Sequence, residues 1–374
     1  MPITARAAVL HAPDDLRIEE VTVDDPAPHE VRISVVACGL CGSDLHYVDG
    51  GLRTEFPMVV GHEAAGVVEA VGESVSGFAP GDRVVTCMSV YCGICEACRR
   101  GETWLCTNRE RPPTQRAADE PPRVTSDGRA AVQGLGIGGL AEYVLVHEHA
   151  LARLPAELPL DLGALLGCGV LTGAGTVFNA ARVRPAETVV VIGCGGVGLS
   201  VVNAAAIAGA ARIIAVDIDA TALELAVGVG ATDTIRADEQ DVVKTVRSLT
   251  GGGADHAIEA LGRPATMAQA IDCIRPGGLA SLVGIAGPTD RLDLGALSTV
   301  WFNRRIQGVL MGANHFPRDI PRLAGLAIDG RLKLDVLATH RIGLDEVPAG
   351  FERMRSGSGG RAIAVLDDPK ARRS

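Results

Sequence analysis

Apolar positions change their rhythm near residue 169. Before it, β-branched runs such as "VRISVVACG" (31–39), "EAAGVVEAVG" (63–72) and "GDRVVTCMSV" (81–90) are short and bounded by Gly, Pro or Asp. That texture predicts many short strands joined by turns. After it, strand-like and helix-like runs alternate. "TVVVIG" (188–193) leads into "GVGLSVVNAAAIAGA" (196–210), and "RIIAVD" (212–217) into "ATALELAVGVGA" (220–231). "HAIEAL" (256–261) leads into "PATMAQAIDCI" (264–274), a "RPGG" turn and "LASLVGI" (279–285). Such alternation implies right-handed crossovers and an α/β, doubly wound parallel sheet. Beyond about 313, "RDIPRLAGLAIDGRL" and "EVPAGFERMRSG" read as helices and "RAIAVL" as a last strand.

Two stretches break the pattern. Asn108 to Ala131 is polar, rich in Pro and Arg, and without apolar period, which predicts a long surface loop. Thr188 to Ala211 carries no charge and is long enough to span a bilayer. It breaks at "GCGGVG", however, with β-branched residues before and Ala-rich residues after, so strand, turn and helix fit better. The N-terminus has charges every few residues and no apolar core of signal-peptide length. The expectation is a cytoplasmic chain with no membrane partner.

Composition narrows the class. At 374 residues the chain exceeds one ordinary core, so two domains are expected. With 47% hydrophobic and 21% charged residues it is globular rather than disordered. Net charge is −10, and the basic residues are scattered except for the closing "KARRS", which argues against nucleic acid. A reducing compartment makes disulfides a poor use for ten cysteines and favours metal binding.

Four of those cysteines, Cys92, Cys95, Cys98 and Cys106, follow a C-x2-C-x2-C-x7-C spacing. Close spacing of this kind lets one loop wrap its thiolates around a tetrahedral ion. A thioredoxin-like pair needs a single CxxC beside a βαβ unit. A ferredoxin run ends in C-x3-C-P, which is absent here. Zinc is the favoured reading. A four-thiolate shell leaves no open position, so this site is structural and the chemistry lies elsewhere.

"VVVIGCGGVGLS" supplies Gly193, Gly195 and Gly198 in a GxGxxG pattern between a strand and a helix. Gly193 permits the tight turn, Gly195 lets the backbone approach a pyrophosphate, and Gly198 allows close helix packing. The helix N-terminus then faces the phosphates. Asp217 ends the next strand, where a carboxylate accepts ribose hydroxyls and repels a 2′-phosphate. No Arg follows it directly, so NAD is expected over NADP. Helix capping by Asp217 is the plainer alternative.

Cys41, His62 and Cys168 are ambiguous one by one. Each reads as well as a core thiol or a turn histidine. Together, C-G-S-D-x-H (41–46), G-H-E (61–63), the four-cysteine lobe (about 87–107), G-C-G-x-x-T-G (167–173) and the GxGxxG–Asp unit occur in a telling order. They resemble the zinc-dependent medium-chain alcohol dehydrogenases, of the medium-chain dehydrogenase/reductase superfamily, over nearly the whole chain. The resemblance implies a GroES-like β-rich domain from residues 1–168 and 313–374, with a Rossmann domain at 169–312 and the site between them. It implies that Cys41, His62 and Cys168 bind a catalytic zinc, making two Zn²⁺ per chain with the structural ion.

Such an ion lowers an alcohol's pKa so that the alkoxide can release a hydride to nicotinamide. By the same resemblance, Ser43 would take the proton and pass it through the cofactor ribose to His46. Asp44 orients His62, and Glu63 lies close behind the metal. Thr172, Gly196, Val197, Val283 and Arg361 fall at positions that the resemblance implies touch the cofactor. Gly42 stands where some relatives carry a basic residue reaching the pyrophosphate. Met88 and Leu140 are candidates for the pocket wall. Cys38, Cys87, Cys194 and Cys273 are left for core packing.

The expected activity is hydride transfer between a small alcohol, aldehyde or ketone and NAD(H). Alternatives are a dehydrogenase of thiol–aldehyde adducts, with the Arg-rich 108–131 loop gripping a charged carrier, and a non-catalytic NAD sensor. A zinc-free quinone reductase is a further one. Sensor and reductase readings both predict decay of the ligand set, which is intact here. A homodimer or homotetramer is implied, with "IQGVLMG" (306–312) pairing across a dimer.

Overall fold

The computed structural model describes residues 1–108, 116, 117, 119–356 and 360–366, organised around three sheets. Six strands form one parallel sheet in the order Asp233–Arg236, Arg212–Asp217, Thr188–Ile192, Ala254–Glu259, Ile274–Leu282, Arg305–Gly308. Chain order reverses between Thr188–Ile192 and Ala254–Glu259, the crevice where such sheets bind ligands outside their carboxyl ends. The central strands are the most apolar because helices cover both faces: Val189 to Val191 are wholly buried and Ile192 nearly so. Burying one such side chain stabilises by roughly 1.5–3 kcal/mol.

Local signals bound the crossover helices. Asp219 Oδ1 caps Ala220–Val229 by accepting from the Thr221 N–H at 2.9 Å, and Asp241 does the same for Val242–Thr250 through Lys244. A cap of this kind is worth about 1 kcal/mol. Capping therefore falls to Asp219, which leaves Asp217 free of that task.

The other two sheets are largely antiparallel. In the seven-stranded one, Glu30–Gly39 sits centrally between Glu63–Val71 and the C-terminal strand Ala362–Val365. Both ends of the chain therefore contribute to one sheet. The architecture is α/β, a GroES-like β-rich part joined to a Rossmann-like parallel sheet. The helical run Leu160–Ala181 crosses from one to the other and is mostly buried.

The structure corrects three expectations. The 108–131 segment is not all loop: Val124–Ser126 and Arg129–Ala130 form a hairpin added to the strand Asp15–Val23. Residues 109–115 and 118 lie outside the described part. The "RPGG" turn is absorbed into the strand Ile274–Leu282, with Gly277 at φ +75° taking the irregularity. Leu140 is wholly buried in the β core rather than on a pocket wall. Among the described residues no single helix is long and apolar enough to cross a membrane, although the bent pair Leu160–Gly167 and Gly169–Ala181 has that length and composition. The uncharged 188–211 stretch divides into Thr188–Ile192 and the helix Gly196–Ala208.

Candidate functional site

Three junctions between elements converge near the Gly39 end of the central strand of the seven-stranded sheet. Cys41 joins the strand Glu30–Gly39 to the short helix Gly42–Val48. His62 and Glu63 open the strand Glu63–Val71, and Cys168 sits in the kink before the helix Gly169–Gly175. Ligand atoms of Cys41, His62, Glu63 and Cys168 all lie within 4.8 Å of one another. His62 and Glu63 are fully buried, and both cysteines nearly so.

Around this cluster each group has a positioned neighbour. Asp44 Oδ1 accepts from the Gly61 N–H at 2.9 Å, and Oδ2 lies 2.9 Å from His62 Nδ1, at ion-pair distance though out of hydrogen-bond alignment. His62 Nε2 has no hydrogen-bond partner among the described residues. A fully buried imidazole nitrogen without a partner is costly unless a ligand takes it. Glu63 Oε1 accepts from the Gly169 N–H at 3.3 Å, and Oε2 accepts from Arg361 at 2.5 Å.

The electrostatics favour a cation. The hydrogen bond from Cys168 holds the Cys41 thiol well below its ordinary value, with the His62 and Arg361 charges assisting against burial. That same bond, with burial, pushes Cys168 well up. Burial opposes charging His62, but the Asp44 carboxylate and Cys41 sulfur outweigh it and raise the ring. Burial lifts Glu63 to about 7 against the pull of Arg361. A divalent ion would deprotonate both thiols. Two thiolates and one imidazole fit zinc with one position left open.

The four-cysteine lobe closes on itself. Sulfur separations are 4.0 Å for Cys92–Cys98, 3.4 Å for Cys95–Cys98 and 3.9 Å for Cys95–Cys106, with no disulfide. These are near the edges of a tetrahedron with metal–sulfur bonds of ~2.3 Å. Backbone N–H groups pull the Cys95 thiol down to about 5, while burial and the neighbouring sulfurs push Cys98 to about 12. Only local chain is needed, so the lobe assembles from its own spacing.

The glycine loop matches the demands of a dinucleotide. Gly193 lies at φ +91°, and a Cβ there would meet Leu261 Cγ at 2.6 Å. A Cβ at Gly198 would sit 1.7 Å from the Gly193 carbonyl oxygen. At Gly195 a Cβ would touch nothing within 4 Å, which leaves open space of the kind a pyrophosphate needs. The helix Gly196–Ala208 carries no side-chain cap, so its first N–H groups face that space. Asp217 Oδ2 accepts from the Cys194 N–H at 2.6 Å, and Oδ1 from Ile218 and Asp219 at 2.7 and 3.0 Å. Its carboxylate is thereby fixed at the sheet's carboxyl edge.

Other expected residues fall along the same edge. Val283 follows the strand Ile274–Leu282 and donates its N–H to the Glu259 carbonyl at 2.9 Å. Val197 is half-buried, and a Cβ at Gly173 would reach its carbonyl at 2.6 Å, seating the Thr172 helix on the nucleotide helix. Arg361 spans the two halves: it binds Glu63, and a Cβ at Gly196 would meet its Cδ at 2.3 Å. Ser43 is half-buried and His46 exposed on the helix Gly42–Val48, three residues apart and so on one face. Met88 is partly buried, and Cys38, Cys87, Cys194 and Cys273 are buried and unpaired.

Sequence reasoning missed two neighbours of the site. Met311 sulfur lies 3.8 Å from Cys168 Sγ and 3.6 Å from Thr172 Oγ1. Leu261 covers Gly193 while remaining 46% exposed, an apolar wall beside the glycine loop. Neither follows from spacing, because each arrives on a turn distant in sequence.

Comparison with known proteins agrees with this geometry. Residues 27–156 match the model of the alcohol dehydrogenase GroES-like domain, and 196–326 that of the zinc-binding dehydrogenase. The fold is similar to an alcohol dehydrogenase zinc-binding domain protein of Burkholderia ambifaria, 35% identical with a TM-score of 0.93 over 98% of this chain and 100% of that one. Benzyl alcohol dehydrogenase of Acinetobacter calcoaceticus is 30% identical, with a TM-score of 0.91 and the same coverage. A Sinorhizobium meliloti protein bound to NADP is 27% identical, TM-score 0.82, covering 97% and 99%. With both halves matched in the same order along one chain, this protein belongs to the zinc-dependent alcohol dehydrogenases of the medium-chain dehydrogenase/reductase superfamily.

Proposed function

We propose that the chain is an NAD-dependent, two-zinc alcohol dehydrogenase that transfers a hydride between a small alcohol, or the corresponding aldehyde or ketone, and NAD(H). The observation that carries the reading is Arg361, which ties Glu63 of the cysteine–histidine cluster to the Gly196 end of the nucleotide helix. One side chain thus couples a metal-type donor set to a dinucleotide-type loop.

When bound, the metal supplies Lewis acidity at Cys41, His62 and Cys168, and nicotinamide accepts the hydride. The chain's own residues do the rest. Ser43 Oγ receives the hydroxyl proton, and exposed His46 on the same helical face delivers it to water. Asp44 fixes the orientation of His62, and Thr172, Val197 and Val283 pack the nicotinamide end. Asp217 receives the ribose hydroxyls and repels a 2′-phosphate, favouring NAD.

The domain reading stays with residues 1–168 and 313–374 around 169–312. A homodimer through the edge strand Arg305–Gly308 is the accompanying proposal, supported by the exposed apolar helix Ala296–Trp301 beside it. For a carrier-thiol substrate, Arg116 and Arg123 are turned in against Glu30 and unavailable to grip one, Arg129 is exposed, and Arg109 and Arg111 lie outside the described residues.

The test follows NADH absorbance with zinc-loaded protein, NAD or NADP, and primary, secondary and aromatic alcohols, beside Cys168→Ala. Turnover with NAD that vanishes in the variant is expected, with two zinc per chain in the wild type and one in the variant. Equal turnover in both would refute the metal assignment. Tight NAD binding without turnover on any alcohol would favour the sensor reading.

A further inference from the structure

Beside the cysteine–histidine cluster, the backbone leaves ordinary conformations at one turn. Met311 and Ala313 lie in the left-handed region at φ +49° and +48°, with Gly312 between them at +68°. Side chains seldom occupy that region, and two so close together persist only where the surroundings over-determine them. The turn also has no room to relax. A Cβ at Gly312 would sit 2.6 Å from the Thr172 carbonyl oxygen, and one at Gly175 would sit 2.3 Å from the Gly312 carbonyl oxygen.

Asn314 holds this turn and is fully buried. Its Nδ2 donates to the Met311 carbonyl at 2.5 Å and to Ser89 Oγ at 3.4 Å, and its own backbone carbonyl accepts from Thr103 Oγ1 at 3.3 Å. Its Oδ1 has no partner among the described residues. Burying a half-satisfied carboxamide is costly, and an apolar side chain would fill the same volume without that cost. Ser89 lies at the start of the four-cysteine lobe, just before Cys92, and Thr103 lies within it, between Cys98 and Cys106. At the far side of the turn, Met311 sulfur rests 3.8 Å from Cys168 Sγ. Asn314 is therefore the joint where lobe, strained turn and cluster meet.

We propose that Asn314 is a positioning residue: it fixes the strained turn so that the Met311 thioether braces Cys168, and it ties that brace to the four-cysteine lobe through Ser89 and Thr103. The inference rests on the reading of Cys41, His62 and Cys168 as metal ligands, but not on which alcohol reacts. Asn314 touches neither substrate nor metal in this scheme. It acts by keeping one thiolate in place.

The test uses the full chain, zinc-loaded for kinetics and cobalt(II)-loaded for spectra, with Cys168→Ser marking which cobalt–thiolate bands belong to this cluster. Asn314→Ala is expected to shift those bands and to lower kcat on the order of ten- to a hundredfold. KM for NAD should move less than about threefold, since the nucleotide loop is untouched. Met311→Leu should shift the same bands, and Asn314→Ala should add little to it in the double variant, because both act through one contact. Thr103→Val keeps shape, removes one hydroxyl, and should shift the bands in the same direction by less. If Asn314→Ala does not fold, Ser89→Ala, which removes an acceptor of the Asn314 side chain itself, decides the question by whether the bands shift. Wild-type bands in Asn314→Ala or Thr103→Val would overturn the proposal, as would strict additivity with Met311→Leu. A lower melting temperature with unchanged bands and kcat would reduce Asn314 to a core polar group. A wild type inactive on every alcohol would defeat the hydride-transfer reading instead, and the cobalt bands would still decide the role of Asn314.

Discussion

Arg361 and Glu63 form a buried ion pair, 2.5 Å apart, at the back of the Cys41–His62–Cys168 cluster, and the arginine stem lies against Gly196 of the nucleotide loop. The pair touches both the cysteine–histidine cluster and the glycine loop, so its loss should be felt in both. Removing Arg361 strands a carboxylate that is fully buried. Arg361→Met should cost about 3–5 kcal/mol in urea unfolding and weaken NAD binding, read by NADH fluorescence. Adding Glu63→Gln should restore most of the stability but not the affinity. Equal recovery of both would mean that Arg361 reaches the cofactor only by holding the fold.

Gly195 and Gly198 allow a cleaner separation of folding from binding. A Cβ at 195 meets open space, whereas one at 198 would lie 1.7 Å from the Gly193 carbonyl. Gly195→Val should therefore leave the melting temperature within a few degrees of wild type and weaken NAD at least tenfold, a change of about 1.4 kcal/mol. Gly198→Ala should lower the melting temperature itself. Unchanged NAD affinity in Gly195→Val, measured by calorimetric titration, would remove the pyrophosphate from this loop.

How much of this was legible in the sequence depended on how local the physics is. The four-cysteine lobe and the Gly193–Gly198 loop are short-range constructions, in which spacing alone dictates wrapping or backbone conformation. Cys41, His62 and Cys168 lie far apart along the chain, and no periodicity brings them together; only the resemblance of their motifs did. Met311 and Asn314 gave no signal, because their part depends on left-handed backbone at 311 and 313 that residue type does not announce. The polar segment after Asn108 misled for a physical reason. Arg116 and Arg123 look solvated by composition, yet both reach back to Glu30, at 2.7 and 2.6 Å, and are buried there.

The helix Ala296–Trp301 buries none of its residues, and Leu297, Val300 and Trp301 are 78%, 81% and 78% exposed. It lies next to Arg305–Gly308, an edge strand of the parallel sheet among the described residues. An apolar patch beside an open strand edge is costly in water and suits a second copy of the chain. Trp301→Glu combined with Val300→Glu should halve the mass found by light scattering, with far-ultraviolet circular dichroism unchanged because nothing in the core is touched. A wild type already monomeric at micromolar concentration would remove the dimer.

His147 makes stability depend on pH between about 6.5 and 4. Burial, with the nearby His149 and Arg123 charges, lowers its imidazole to about 4 from an ordinary 6.5. Its Nδ1 already accepts from the His149 N–H at 3.0 Å, an arrangement that requires that nitrogen unprotonated. Above pH 6.5 the ring is neutral in both folded and unfolded chains and contributes no pH dependence. As the pH falls from 6.5 towards 4, the unfolded chain takes up a proton that the folded one refuses, so folding loses ground. The loss is complete below about 4 and amounts to roughly 1–2 kcal/mol once solvent screening of this partly exposed ring is allowed for. An asparagine carboxamide offers a side-chain oxygen to the same N–H but cannot titrate, so His147→Asn should flatten the difference in unfolding free energy between about pH 7 and pH 4.5 by most of that amount. Parallel urea curves for wild type and variant across this range would show that His147 is protonated as easily in the fold as outside it.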